Sequence, residues 1–342
     1  MTTTQTEVSS THVASTHVAE RSFRTMGTDG HVLVYGIDGS VEALADLACR
    51  RIALLDSLWS RFRDDSELSR LNHRAGRGFV EVSAETEALV RAMRLAWEFT
   101  AAAFDPSVLT AITAAGYDRD FAEIIAHDSF QAVAEPAPGM DGVEIADRMV
   151  ALPAGVSLDP GAIGKGLAAD IVVDEMTRAG AMGVLVDLGG DIALAGFPGA
   201  DGTWSIAIRD ERHRLEQTSM QHDRTIVFPV GVAHAGIATS TSLTRRWAQA
   251  RHHVIDPSTG ASTDEALVQV TVTGSRAWEC EVWATAALVR PTLVDSLDES
   301  FSCLALSQTR TLRDDFFVPI GGMVDQQIRN EIEMTTDQAE VA

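Results

Sequence analysis

The run Val156–Met176, VSLDPGAIGKGLAADIVVDEM, constrains this chain more than any other stretch. A strand-like start ends at Asp159, and a helix-like run follows Gly166. Between them Gly161, Gly164 and Gly166 surround Lys165. Glycines let backbone approach a ligand, the helix N-terminus offers unsatisfied N–H groups, and the lysine adds positive charge. The element therefore suits an anion such as a phosphate. It is not a Walker A loop, because Asp159 stands where the first Gly would be and Gly166 where the Ser or Thr would be. Nor do the glycines match the G-x-G-x-x-G spacing of a dinucleotide-binding βαβ unit. The same residues also read as a plain strand-to-helix turn with a solvated lysine.

The 342 residues are 45% hydrophobic, enough for one large domain or two smaller ones. A net charge of −22 excludes nucleic acid and anionic lipid as partners, and it means that an anionic ligand needs local cations or N–H groups. No apolar run approaches the ~20 residues that span a bilayer. The first residues have neither a basic start nor an apolar stretch, so no secretory signal is expected and a cytoplasmic location is. Cys49, Cys280 and Cys303 are too few and too scattered for disulfides or a zinc site. Residues 1–22 and 321–342 read as disordered tails around a folded region at 23–320.

Within that region FRTMGTDGHVLVYG reads as a strand entered through a Gly turn. Helical periodicity follows at Ala43, Leu44, Leu47, Ile52, Leu55 and Leu58, with Ser40 as the expected N-cap. A second helix is expected over Ala84–Ala103, a third after Gly166, and a fourth over RAWECEVWATAALV. VEIADRMVALPAGVSLD, MGVLVDLGGDIALAG, TWSIAIRDE, TIVFPVGVAHAGIATS and ALVQVTVTG read as strands. Strands follow one another through turns, which predicts an α+β fold with a mixed or antiparallel sheet rather than βαβ alternation. In ECEVWATAAL, Glu281 and Thr285 are four apart and share one helical face. A carboxylate and a hydroxyl so placed can share a hard cation, or can be a first-turn acid and a packed threonine.

TMGT, SRFRDDSELSRLN, AFDPSV, LDPGAIGKGLAAD, VDLGGDI, IATS, HVIDPSTG and ECEVWATAAL together resemble the ApbE family, the FAD:protein FMN transferases, in order and from about Arg24 to Val289. The resemblance implies an α+β fold with flanking helices around an FAD cleft. It implies Mg²⁺-dependent transfer of FMN from FAD to a Thr or Ser hydroxyl of an acceptor protein, with release of AMP. Hydrolysis of FAD to FMN and AMP, or FAD binding without catalysis, are the alternatives. By that resemblance Met26, Phe62, Ala103, Phe104, Asp105, Asp159, Lys165, His253 and Ile255 contact FAD. Asp159, Lys165 and His253 serve catalysis. The Ala162 carbonyl, Glu281 and Thr285 hold Mg²⁺, or Mn²⁺. Three residues depart from the family pattern: Phe62 replaces a Tyr, Glu281 an Asp, and Thr241 a Gly whose loss matters if that position needs φ > 0.

Overall fold

Thr25 and Thr28 face each other across a hairpin, so Met26–Gly27 is a two-residue turn. Both turn residues have positive φ, 47° and 70°, the geometry that matches the twist of the flanking strands. A methionine rarely adopts it. Asp56 holds it there: its Oδ2 accepts from the Met26 N–H at 3.1 Å and from Thr25 Oγ1 at 3.2 Å. The segment expected to be one strand is thus the meeting of two. The first of them begins at His17, inside the expected N-terminal tail, because pairing along its whole length satisfies its backbone.

The computed structural model describes residues 17–37, 39–119, 121–124, 134–198, 203–213, 224–228, 232–247, 251–264 and 266–314, with backbone alone at 122 and 224–228. The expected tail at 321–342 lies outside the described residues. The chain opens with β1 (His17–Thr25), β2 (Thr28–Gly36), α1 (Ser40–Trp59), α2 (Glu67–His73), β3 (Val80–Glu81), α3 (Ala84–Phe99) and α4 (Leu109–Ala114). It continues through β4 (Glu144–Ala146), β5 (Met149–Ala151), α5 (Gly164–Arg178), β6 (Gly183–Leu188), β7 (Asp191–Gly196), β8 (Trp204–Ile208) and β9 (Arg224–Phe228). It closes with β10 (Val232–Thr241), β11 (Arg246–Trp247), β12 (Arg251–His252), β13 (Gln269–Gly274), α6 (Ala277–Val289), β14 (Ser302–Leu306) and β15 (Thr311–Asp314).

Eight strands form the main sheet in the order β1-β2-β6-β7-β10-β13-β14-β15, and every ladder in it is antiparallel. Side chains alternate across it. Val32, Val34, Val184, Val186, Ala193 and Ala195 pack with Ile52, Leu55, Val172 and Val173 of α1 and α5. Leu33, Tyr35, Leu185, Ile192 and Leu194 face the other way and pack with Trp204 and Ile208 of the β8–β9 hairpin. Both faces are covered, which is why β6 and β7 read as nearly continuous apolar runs.

Local chemistry sets the helix ends. The N-cap of α1 is Gly39 with no side-chain cap bond, so Ser40 is its first residue rather than its cap. α3 stops at Phe99, short of the expected Ala103, because Ala101 and Ala102 turn to φ 48° and 60°. The start of α6 is wedged between α5 and β10 by two glycines. A Cβ on Gly166 would meet Ala277 and Trp278 backbone at 2.7 Å, and one on Gly236 would meet the Ala277 nitrogen at 2.2 Å. Asp170 of α5 completes the joint by accepting the Ala277 and Trp278 N–H groups, both at 3.0 Å. Burial pushes that carboxyl up to about 7. Among the described residues no helix is long and apolar enough to cross a membrane.

Candidate active site

The loop from Asp159 to Gly166 leads into α5 at one end of the sheet. Asp159 Oδ1 accepts the Gly161 N–H at 2.7 Å, which tightens the turn, and Ala162 follows at φ 65°. Strain of that size in a non-glycine residue persists only where its surroundings fix it. Asp159 Oδ2 lies 3.5 Å from Arg61 Nε, with both side chains buried. Arg61 stacks over the rings of Phe62 and Tyr117, 4.3 and 4.4 Å from their centroids, and donates to the Tyr117 carbonyl at 2.9 Å.

The loop borders a cavity of 820 Å³. Met26, Phe62, Ala103, Phe104, Asp105, Asp159, Ala162, Lys165, His253, Ile255, Glu281 and Thr285 all line it, so every site residue expected from the sequence meets in one place. They arrive from the β1–β2 turn, the end of α1, the turn after α3, the glycine loop, the segment after β12, and α6. Asp105 caps the turn Pro106–Val108, its Oδ1 accepting from Ser107 N at 2.8 Å and Ser107 Oγ at 2.6 Å, and burial raises its pKa. The Pro106 carbonyl accepts the Asp159 N–H at 2.7 Å and so joins that turn to the glycine loop.

Lys165 differs from its sequence reading. Its ammonium does not stand free for an anion. It lies 2.5 Å from Glu281 Oε1 and 2.5 Å from Asp191 Oδ2. Burial opposes its charge, yet the two carboxylates hold it well above the ordinary lysine value. The other Glu281 oxygen accepts the Gly166 N–H at 2.8 Å. The helix N-terminus expected to meet a phosphate thus carries the Glu281 carboxylate. Burial, then the neighbouring Asp191, push Glu281 up to about 7, while Lys165 pulls the other way. The longer side chain of Glu281 relative to Asp reaches both Lys165 and the start of α5.

Thr285, one turn beyond Glu281, shares a hydrogen bond of 2.7 Å with Ser240 Oγ at the end of β10. Thr241 next to it is not strained. It is absent from the non-glycine residues with positive φ, and its Oγ1 donates to the Val268 carbonyl at 2.7 Å and accepts the Leu243 N–H at 3.1 Å. His253 sits at the cavity wall beside Arg245. Burial, reinforced by the Arg245 charge, pushes it down to about 3, so its ring is neutral, and its buried Nδ1 has no hydrogen-bond partner.

A hard cation fits the oxygen chemistry of this wall: a carboxylate from Glu281, a hydroxyl from Thr285, and the carbonyl of the left-handed Ala162. Among the described residues no three His, Cys, Asp or Glu side chains gather as a metal cluster, so the donors would be mixed. Sequence reasoning missed Asp191, Arg61, Tyr117 and Arg245. VDLGGDI carried the one available signal, a carboxylate after paired glycines, but its partner Lys165 is remote in sequence.

The ApbE family model matches residues 26–297. The chain is 27% identical over 278 residues to the FAD:protein FMN transferase of Klebsiella pneumoniae, covering 78% of this chain and 77% of that one. It is 29% identical over 281 residues to the FAD:protein FMN transferase of Salmonella typhimurium, with 78% and 77% covered. The solved flavin transferase ApbE of Vibrio cholerae superimposes with a TM-score of 0.71 at 22% identity, over 90% of this chain and 100% of that chain, which is a likeness of fold.

Proposed function

The chain belongs to the ApbE family, and from that premise we propose that it moves the FMN half of FAD to a Thr or Ser hydroxyl of an acceptor protein and releases AMP. The observation that carries this reading is the convergence of twelve residues, from Met26 to Thr285, on one 820 Å³ cavity. Relatives named as FAD:protein FMN transferases support the chemistry.

The acceptor oxygen forms a bond to the phosphorus of the FMN phosphate while that phosphorus loses its bond to the bridging oxygen. AMP leaves with that oxygen. The hydroxyl proton needs an acceptor, and the neutral imidazole of His253 at the cavity wall is the group we assign to take it. Phosphate charge entering the cavity favours imidazolium and raises its basicity. Phe62 and Tyr117, with Arg61 across their faces, offer flat apolar surface for a ring. Asp159 orients Arg61 and the glycine loop. Lys165 keeps Glu281 and Asp191 from repelling each other and fixes the Glu281 carboxylate.

Mg²⁺, or Mn²⁺, would rest on Glu281, Thr285 and the Ala162 carbonyl and would neutralise pyrophosphate charge. Cys49, Cys280 and Cys303 are free thiols, and a cytoplasmic location is part of the same proposal. Incubating the protein with FAD and Mg²⁺, with and without an acceptor protein, tests the reading. AMP together with labelled acceptor supports transfer, AMP with free FMN alone favours hydrolysis, and no AMP refutes catalysis.

A further inference from the structure

Five cations line the cavity: Arg61, Arg63, Lys165, Arg209 and Arg245. Seven carboxylates line it too, so the wall as a whole repels an anion. Three of the cations are committed. Arg61 is held by Asp159 and by two rings, Arg63 pairs with Asp65, and Lys165 lies between Asp191 and Glu281. In the Lys165, Asp191 and Glu281 group the ammonium is already shared between two carboxylates. Neither Arg209 nor Arg245 makes an ion pair with a described residue. Arg209 is exposed at the end of β8, where water and salt screen it. Arg245 is half-buried and follows the cavity-lining run Thr239, Ser240 and Thr241. Ser240 of that run is bonded to Thr285. Arg245 lines the same cavity wall as His253, Ser240 and Thr285.

We propose that Arg245 is the residue that grips a phosphate of the FAD pyrophosphate, in the role that the sequence suggested for Lys165. This inference rests on the flavin-transfer reading. A guanidinium presents a planar fork that can bond two phosphate oxygens at once, and it stays charged at any physiological pH. It also stabilises charge that shifts between the two phosphates as the bridging bond breaks. Arg245 would therefore set affinity for the pyrophosphate and leave affinity for an uncharged flavin alone.

The test measures binding of FAD, riboflavin and inorganic pyrophosphate to the parent, Arg245→Met and Arg245→Lys, by flavin fluorescence and calorimetry at fixed salt, with melting temperature as the control on folding. Arg245→Met should bind FAD and pyrophosphate roughly 10- to 100-fold more weakly, the scale of one lost charge-assisted hydrogen-bonding group. Riboflavin should bind it as it binds the parent. Arg245→Lys, which keeps the charge without the fork, should fall between. Unchanged pyrophosphate and FAD affinity in Arg245→Met overturns the inference, and so does an equal loss for riboflavin. A parent that binds pyrophosphate through Arg245 but does not bind FAD upholds the anion site and refutes the flavin reading. A parent that binds neither refutes both.

Discussion

Replacing Gly166 with Ala tests whether the spacing of α5 and α6 sets the site. The added methyl would stand 2.7 Å from the Ala277 carbonyl carbon and oxygen and from the Trp278 Cα. Those are backbone atoms and cannot swing aside. Ordinary contact begins near 3.4 Å, so the helices must part by about 0.7 Å at that point. The Gly166 N–H to Glu281 bond, now 2.8 Å, would then lie at the edge of hydrogen bonding. Overpacking of this kind costs ~1–3 kcal/mol. Better helix propensity of Ala returns up to ~1 kcal/mol. The expected net loss is ~1–2 kcal/mol in a urea titration. The effect on turnover should be larger, on the order of 100-fold in AMP release, because a shift approaching 1 Å misplaces Glu281 and Thr285 together. A Gly166→Ala protein with parental stability and parental AMP release would refute the argument that the close helix contact positions the site.

Lys165→Met should cost about 3–5 kcal/mol of stability, because it leaves Glu281 and Asp191 buried without their cation; a parental urea midpoint would show that the pair is not held by that lysine. Asp170 has its pKa raised from 3.8 to about 7 in the folded state, so folding favours its protonated form. Its contribution is present below pH ~4 and is lost as pH rises through ~7, up to ~4 kcal/mol, and Asp170→Asn should flatten that part of the stability-versus-pH curve. Phe62 is 43% exposed, so Phe62→Ala should lower stability by less than ~1 kcal/mol while weakening FAD selectively, and melting curves with and without FAD separate the two. Glu281→Ala should abolish Mn²⁺ binding followed by electron paramagnetic resonance and leave most FAD affinity; full Mn²⁺ binding would remove Glu281 from the cation site.

Much of the fold was legible because its signals are local. The periodicity of Ala43 to Leu58 marks α1, the glycine loop marks the start of α5, and the apolar runs around Val186 and Leu194 mark strands buried on both faces. The N-terminal hairpin was not, because Met26 supplies a left-handed turn that glycine or asparagine would have announced. α2 lacks length, with seven residues and a cap from Ser66. The site residues were legible as types, and the cavity gathers all twelve of them. Their pairings were not. Lys165 and Glu281 are 116 residues apart, and only the packing of α5 on α6 reveals that the lysine serves carboxylates. The same holds for Arg245, whose meaning depends on which cations nearby are already committed.

On the proposed reading this cavity splits the pyrophosphate of FAD and passes FMN to a protein. The most direct measurement is the mass spectrum of an acceptor protein used by one of the curated transferases, after incubation with this protein, FAD and Mg²⁺, with AMP quantified in the same reaction. A mass gain of one FMN group on a Thr or Ser of the acceptor, with one AMP released for each, is the predicted result. An unmodified acceptor with no AMP, from a protein that binds FAD, would contradict it.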